Sequence, residues 1–225
     1  MYKTLFLNLC VLATLFLYTH CETATKAEQK RHSKKSNAIA IQPFIGTTQE
    51  KITFIQQVIT TFYHLETIVL PSIEPPSMAY TTLKTPRYRA DSLLLFLWRN
   101  CPDSINHIMG IAQFDISITK RDSLGEIKKP IDKYTDFGVY GLGYCPGKSC
   151  IISSYRLQTN DKRQTQERIK KVVLHELGHT FGLPHCANTH CFMQDAKESI
   201  KTIDNEKSEL CINCQLKLVE NKATN

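Results

Sequence analysis

The chain has 225 residues, 42% of them hydrophobic, and a formal net charge of +7. That length and apolar content suffice for one good core that can split across a cleft, so one domain is expected. The basic excess comes without an aromatic-interleaved stripe or a known nucleic-acid module, and the sequence has no internal repeat, coiled coil or long low-complexity tract. Nucleic-acid binding and repeat architectures are therefore set aside.

Residues 5–18 form an apolar run after Lys3, too short to span a bilayer comfortably and interrupted by Asn8 and Thr14. The run reads as the core of a secretory signal. Cys21 follows at the distance of a lipid-modified cysteine, although His20 is a poor residue before such a cleavage. Residues 22–37 are polar and carry Lys26, Lys30, Arg31, Lys34 and Lys35, the composition of a basic disordered tether. The expected organisation is a signal over 1–21, a tether over 22–37 and one domain over 38–225. The destination is then extracytoplasmic: secreted, periplasmic or lipid-anchored, with the membrane reached only through a lipid or a retained signal.

Residues 38–45 have strand composition, and 49–64 place Ile52, Ile55, Ile59 and Phe62 at helical spacing. A short strand over 68–70 precedes the turn-rich Pro71, Pro75 and Pro76. A helix is expected over 89–98, ending before Cys101-Pro102, and one strand over 108–118. Gly138, Gly141, Gly143 and Gly147 lead to the apolar pair Ile151-Ile152, a pattern suited to a hairpin lip on which an extended substrate adds as a further strand. A helix over 164–181 buries Ile169, Val172 and Val173.

That last helix carries the chemistry. His175 and His179 are four residues apart, so both rings leave one face and can grip one metal ion. Glu176 is close enough to reach a water on that metal and act as general base. His185, six residues beyond His179, lies roughly 240° round a continued helix and joins the site only if the chain turns. Gly182 permits the turn through a left-handed backbone, and Pro184 stops the helix from resuming. Three protein ligands leave a fourth position open, as in a catalytic zinc site. A competing design would recruit Glu198 from a later helix, but it leaves Gly182 and His185 unexplained. His32, His64, His107 and His190 read as surface or satisfied histidines, with His190 the one placed to compete for a neighbouring metal.

Cys186 and Cys191, then Cys211 and Cys214, have the spacing of a tetrahedral thiolate site. Two disulfides would contribute about 2–4 kcal/mol each, whereas a four-cysteine zinc contributes about 10–16 kcal/mol in small metal-dependent units. Zinc is the better fit to a segment with little apolar sequence of its own. Of the three other thiols beyond the expected signal, Cys145 and Cys150 are spaced to close a small disulfide loop, leaving Cys101 free. Thiolate-bound zinc is usual in reducing compartments, which conflicts with export, although metal loading can protect the thiolates.

Taken in order, His175-Glu176-x-x-His179-x-x-Gly182-x-x-x-Cys186, then Cys191, Met193, Cys211 and Cys214, resembles the full signature of the archaemetzincins, a family of metzincin-type zinc metallopeptidases. Residues 39–46 and 136–157 are similar to the opening strand and to the strand, turn and strand before the catalytic helix in that family. The long amino-terminal extension and Cys101, Cys145 and Cys150 depart from its pattern. The resemblance implies an α+β, metzincin-like peptidase domain with a mixed twisted sheet, an active-site helix and a C-terminal subdomain organised by a four-cysteine zinc site. It implies that His175, His179 and His185 bind a catalytic zinc, that Cys186, Cys191, Cys211 and Cys214 bind a structural one, and that Met193 is the methionine of the turn beneath the first. The expected function is zinc-dependent hydrolysis of a peptide or protein substrate, with Glu176 activating the metal-bound water, by a monomer. The alternatives are a zinc-scaffolded protein that binds peptides without cleaving them and a hydrolase of non-peptide amides.

Overall fold

The computed structural model describes residues 36–196 and 198–224, so the expected signal and nearly all of the tether lie outside the described residues. Strand β1 (Ser36–Pro43) sends Ile39 and Ile41 into one apolar core and Ala38 and Ala40 into the other. Burial on both faces is what a central strand of a largely parallel sheet requires. Thr48 then caps helix α1 (Gln49–Tyr63), its side chain accepting from the Lys51 amide. The helix buries Ile52, Ile55, Ile59 and Tyr63 and ends at His64, whose φ of 56° is left-handed. Strands β2 (Thr67–Val69), β3 (Tyr80–Thr81) and β4 (Arg87–Arg89) lead into helix α2 (Ala90–Asn100). Strands β5 (Ile105–Ala112) and β6 (Ile116–Ile118), the short helix α3 (Ile131–Tyr134), and strands β7 (Phe137–Val139), β8 (Gly141–Gly143) and β9 (Ser149–Ser153) follow. Helices α4 (Lys162–Thr180), α5 (Ile200–Asn205) and α6 (Ile212–Thr224) complete the described chain.

The strands make a five-stranded sheet in the order β2-β1-β5-β9-β8 and a four-stranded sheet in the order β3-β4-β6-β7. In the larger one, β1, β2, β5 and β9 run parallel and β8 is the antiparallel edge, paired Gly141 to Ile152 and Gly143 to Cys150. Helices α1 and α4 cover the face bearing Ile39, Ile41, Met109, Ile111 and Ile152, and α2 covers the other through Leu93 and Leu97. Burying each such aliphatic side chain stabilises the fold by about 1.5–3 kcal/mol. This is an α+β fold with mixed sheets, and its antiparallel edge runs beside α4.

Three expectations change. The single strand expected over 108–118 is two, since β5 leaves the large sheet after Ala112 and β6 joins the small one opposite Tyr88. Between them Asp115 is buried and gripped by Arg87 at 3.4 Å and by Arg156 at 2.6 Å, partners distant in sequence that hold the bend. The domain begins earlier than expected: Ser36, placed in the tether from the sequence, already pairs with Ile105, and its amide donates to the Ser104 carbonyl at 2.7 Å. Cys145 and Cys150 are separate thiols: Cys150 is buried in the core, whereas the Cys145 Sγ faces the Leu183 carbonyl at 3.3 Å.

Candidate active site

Asp161 starts α4 by accepting from the Arg163 and Gln164 amides, two residues earlier than the apolar period suggests. Ile169, Val173 and Leu177 turn to the core, which fixes His175 and His179 on the face toward the cleft. The helix ends as Gly182 permits: its φ is +82°, its amide donates to the His179 carbonyl at 2.8 Å, and the Leu183 amide donates to the Gly178 carbonyl at 3.0 Å. That pair of bonds is a Schellman end, and it carries His185 back to the other two imidazoles.

The three rings meet. Their centroids are 4.6, 4.9 and 5.3 Å apart, and one ligand atom from each lies within 4.8 Å of the others. The His175 and His179 Nε2 atoms are 3.0 Å apart, against about 3.3 Å for two nitrogens at tetrahedral zinc distance. The opposite nitrogens are spoken for. His175 Nδ1 meets the Phe192 carbonyl at 2.6 Å and His179 Nδ1 meets the Leu183 carbonyl at 2.7 Å. A carbonyl only accepts, so each Nδ1 carries the proton and each Nε2 offers its lone pair inward. Burial also lowers the pKa of His175 to about 3 and of His179 to about 4, which keeps both rings neutral and ligand-ready. Donor set, convergence and tautomers all fit zinc.

Glu176 is buried on the same helix, and burial raises its carboxyl to about 8. Strand β8 passes directly over it. A Cβ on Gly141 would lie 2.6 Å from Glu176 Cγ, and one on Gly143 would lie 2.8 Å from the Glu176 carbonyl oxygen. Residues two apart in a strand share a face, so this glycine pair is what lets the edge strand lie against the helix. Beneath, Met193 is fully buried, and a Cβ on Gly178 would lie 2.7 Å from its Sδ.

The four cysteines gather next to this site. One atom from each of Cys186, Cys191, Cys211 and Cys214 lies within 4.8 Å of the others. Cys186 and Cys211 Sγ are 3.7 Å apart, too far for a disulfide and close to the about 3.8 Å of two thiolates on one tetrahedral zinc. The Asn188 and Cys211 amides donate to Cys186 and Cys191 Sγ, each at 3.4 Å. A hydrogen bond with the Cys214 backbone lowers the Cys211 pKa, whereas burial raises those of Cys191 and Cys214. The cluster ties α6 to the 186–194 loop, whose carbonyl at Phe192 orients His175.

A cleft of about 720 Å³ opens over the histidines, lined among others by Tyr140, Gly141, Gly143, Val172, Glu176, Ile203 and Glu206. Every sequence-predicted site residue that is described falls into one of the two clusters, beside them, or beneath them. Glu198 lines the cleft but is no third ligand: its carboxylate accepts from Lys133 at 2.8 Å and Lys120 at 3.1 Å, and the Lys133 bond holds it down to about 2. His107 Nδ1 bonds the Gly147 carbonyl at 3.1 Å, and His190 is outside the cysteine cluster. Tyr140, Lys120 and Glu206 were not found from the sequence, where no motif connects them to the helix.

A family model described as Peptidase family M54 matches residues 67–220. An archaemetzincin of Halobacterium salinarum is 30% identical over 162 residues, covering 68% of this chain and 83% of the relative. One from Nanoarchaeum equitans is 42% identical over 83 residues, covering 37% of this chain and 44% of the relative. Among solved structures, an archaemetzincin from Archaeoglobus fulgidus complexed with malonate superposes with a TM-score of 0.63 at 25% identity, over 80% of this chain and 99% of the other. The Methanopyrus kandleri archaemetzincin gives 0.67 at 23% identity, over 86% and 99%, and so supports the fold. The match takes in the catalytic helix, the histidine triad and all four clustered cysteines, and the chain belongs to peptidase family M54, the archaemetzincins, as a zinc metallopeptidase.

Proposed function

We propose that this chain hydrolyses peptide bonds with His175, His179 and His185 holding a catalytic zinc, Glu176 acting as general base, and Cys186, Cys191, Cys211 and Cys214 holding a second, structural zinc. The observation that carries the reading is the convergence of the three imidazoles beside a buried carboxylate in one open cleft. When bound, the zinc supplies a Lewis acid that acidifies a water and polarises the scissile carbonyl. Glu176 takes the proton from the attacking water and passes it to the leaving amine. Its buried carboxyl is basic enough to accept, and a divalent cation in the histidine cluster draws its pKa below about 8. The Phe192 and Leu183 carbonyls hold the two rings in register, and strand β8 offers its free edge to an extended peptide. A site that only bound peptide would have no use for a carboxyl held beside the three candidate metal ligands.

Export belongs to the same reading, supported by the apolar run over 5–18 after Lys3. Among the described residues no helix is long and apolar enough to cross a membrane. The test of the metal assignment is chelation and reconstitution. Mild chelation should remove one zinc and all peptide hydrolysis, one equivalent should restore both, and a second zinc should leave only under denaturing conditions. A single zinc per fully loaded chain would contradict the two-site reading.

A further inference from the structure

Val172 lies three residues before His175 and so faces the same cleft about one helical turn away. Tyr140, Ile203 and Glu206 line the same cleft; Ile203 and Tyr140 share an apolar cluster with Val172, and Lys171 beside Val172 bonds the Ile203 carbonyl. Glu206 is only 6% exposed, and its Oε2 has no hydrogen-bond partner. The nearby cation does not serve it: Lys171 Nζ donates instead to the Ile203 carbonyl at 2.6 Å and the Asp204 carbonyl at 3.3 Å. Other charges on the wall are engaged, Arg156 with Asp115 and Lys120 with Glu198. Among the described residues, no other side chain of this cleft has a buried polar atom left unpartnered.

We propose that Glu206 makes this end of the cleft a subsite for a basic side chain of the substrate, lysine or arginine. The inference rests on the peptidase reading above and names the residue that would set its specificity. The apolar walls of Val172, Ile203 and the Tyr140 ring accommodate the methylene stem, and the carboxylate meets the charged head. Burial without a partner lifts Glu206 to about 8; a cation brought to its oxygen favours the ionised form. An aliphatic side chain would fill the same walls but leave Oε2 without a partner. An acidic one is repelled.

The test reads binding without turnover. A positional-scanning peptide library is captured on the zinc-loaded full chain carrying Glu176→Gln. Lysine or arginine should be enriched at least about fivefold over norleucine at one position, and adding Glu206→Gln should abolish that enrichment. Absence of enrichment, or its persistence in the double variant, overturns the proposal. If Glu206→Gln fails to fold, acetylating the peptide lysine gives the same contrast on an unaltered wall, with loss of binding expected and unchanged binding contradictory. Hydrolysis of the same library by the chain with Glu176 intact is scored separately. Enrichment without cleavage would refute the peptidase mechanism and leave the subsite standing.

Discussion

At the scale of single residues, close approach and charge make different demands. A methyl group on Gly143 would meet backbone, the Glu176 carbonyl oxygen at 2.8 Å, which cannot swing aside. Gly143→Ala should therefore destabilise the fold by about 1–3 kcal/mol in urea denaturation and reduce hydrolysis by displacing β8; an unchanged midpoint and rate would show that the strand has slack. His185→Ala should lose the labile zinc while Glu198→Ala keeps it, because Glu198 is committed to Lys120 and Lys133. Metal analysis after gel filtration separates the two. Glu206 adds a pH signature. Its pKa rises from 4.5 to about 8 on folding through burial, so the folded chain keeps a proton that the unfolded chain releases. That contribution is full below about 4.5, declines as pH rises and is gone above about 8. Glu206→Gln should therefore lose less stability than the unaltered chain between pH 5 and pH 8. Parallel slopes would contradict the burial of an unpaired carboxyl.

At the scale of elements, the catalytic helix was legible because its signals are local: ligands at helical spacing, a glycine that ends the helix and a proline after it. Its continuation was less so. The apolar residues Ile212, Leu216 and Val219 of α6 point to solvent, at 65%, 57% and 68% exposure. An amphipathic pattern would not have found the helix by its core face; its anchor is the cysteine cluster. The break between β5 and β6 was hidden for a related reason, since Asp115 finds Arg87 and Arg156 only in the folded chain. If zinc is that anchor, replacing Cys211 and Cys214 with Ser should halve the bound zinc and lower the melting temperature far more than Cys145→Ser, which removes one exposed thiol. The reverse order in thermal melts would overturn the four-cysteine assignment.

At the scale of the whole molecule, two sheets, two clusters of candidate metal ligands and the cleft depend on one another. The 186–194 loop presents Phe192 to His175, Met193 to the underside of α4 and two of its cysteines to α6. Loss of the cysteine cluster should therefore lower activity as well as stability. Destination is a separate matter, decided by mass spectrometry of the mature amino terminus: a terminus at or beyond residue 21 is expected, and an intact Met1 would contradict export. The most direct test of the central claim compares the zinc-loaded chain with its Glu176→Gln variant on one peptide substrate at equal zinc content. The account predicts that the variant keeps its fold and both metals and loses at least about 10²-fold in hydrolysis, the scale of a lost general acid–base group. Undiminished hydrolysis with full metal occupancy would show that Glu176 is not the base.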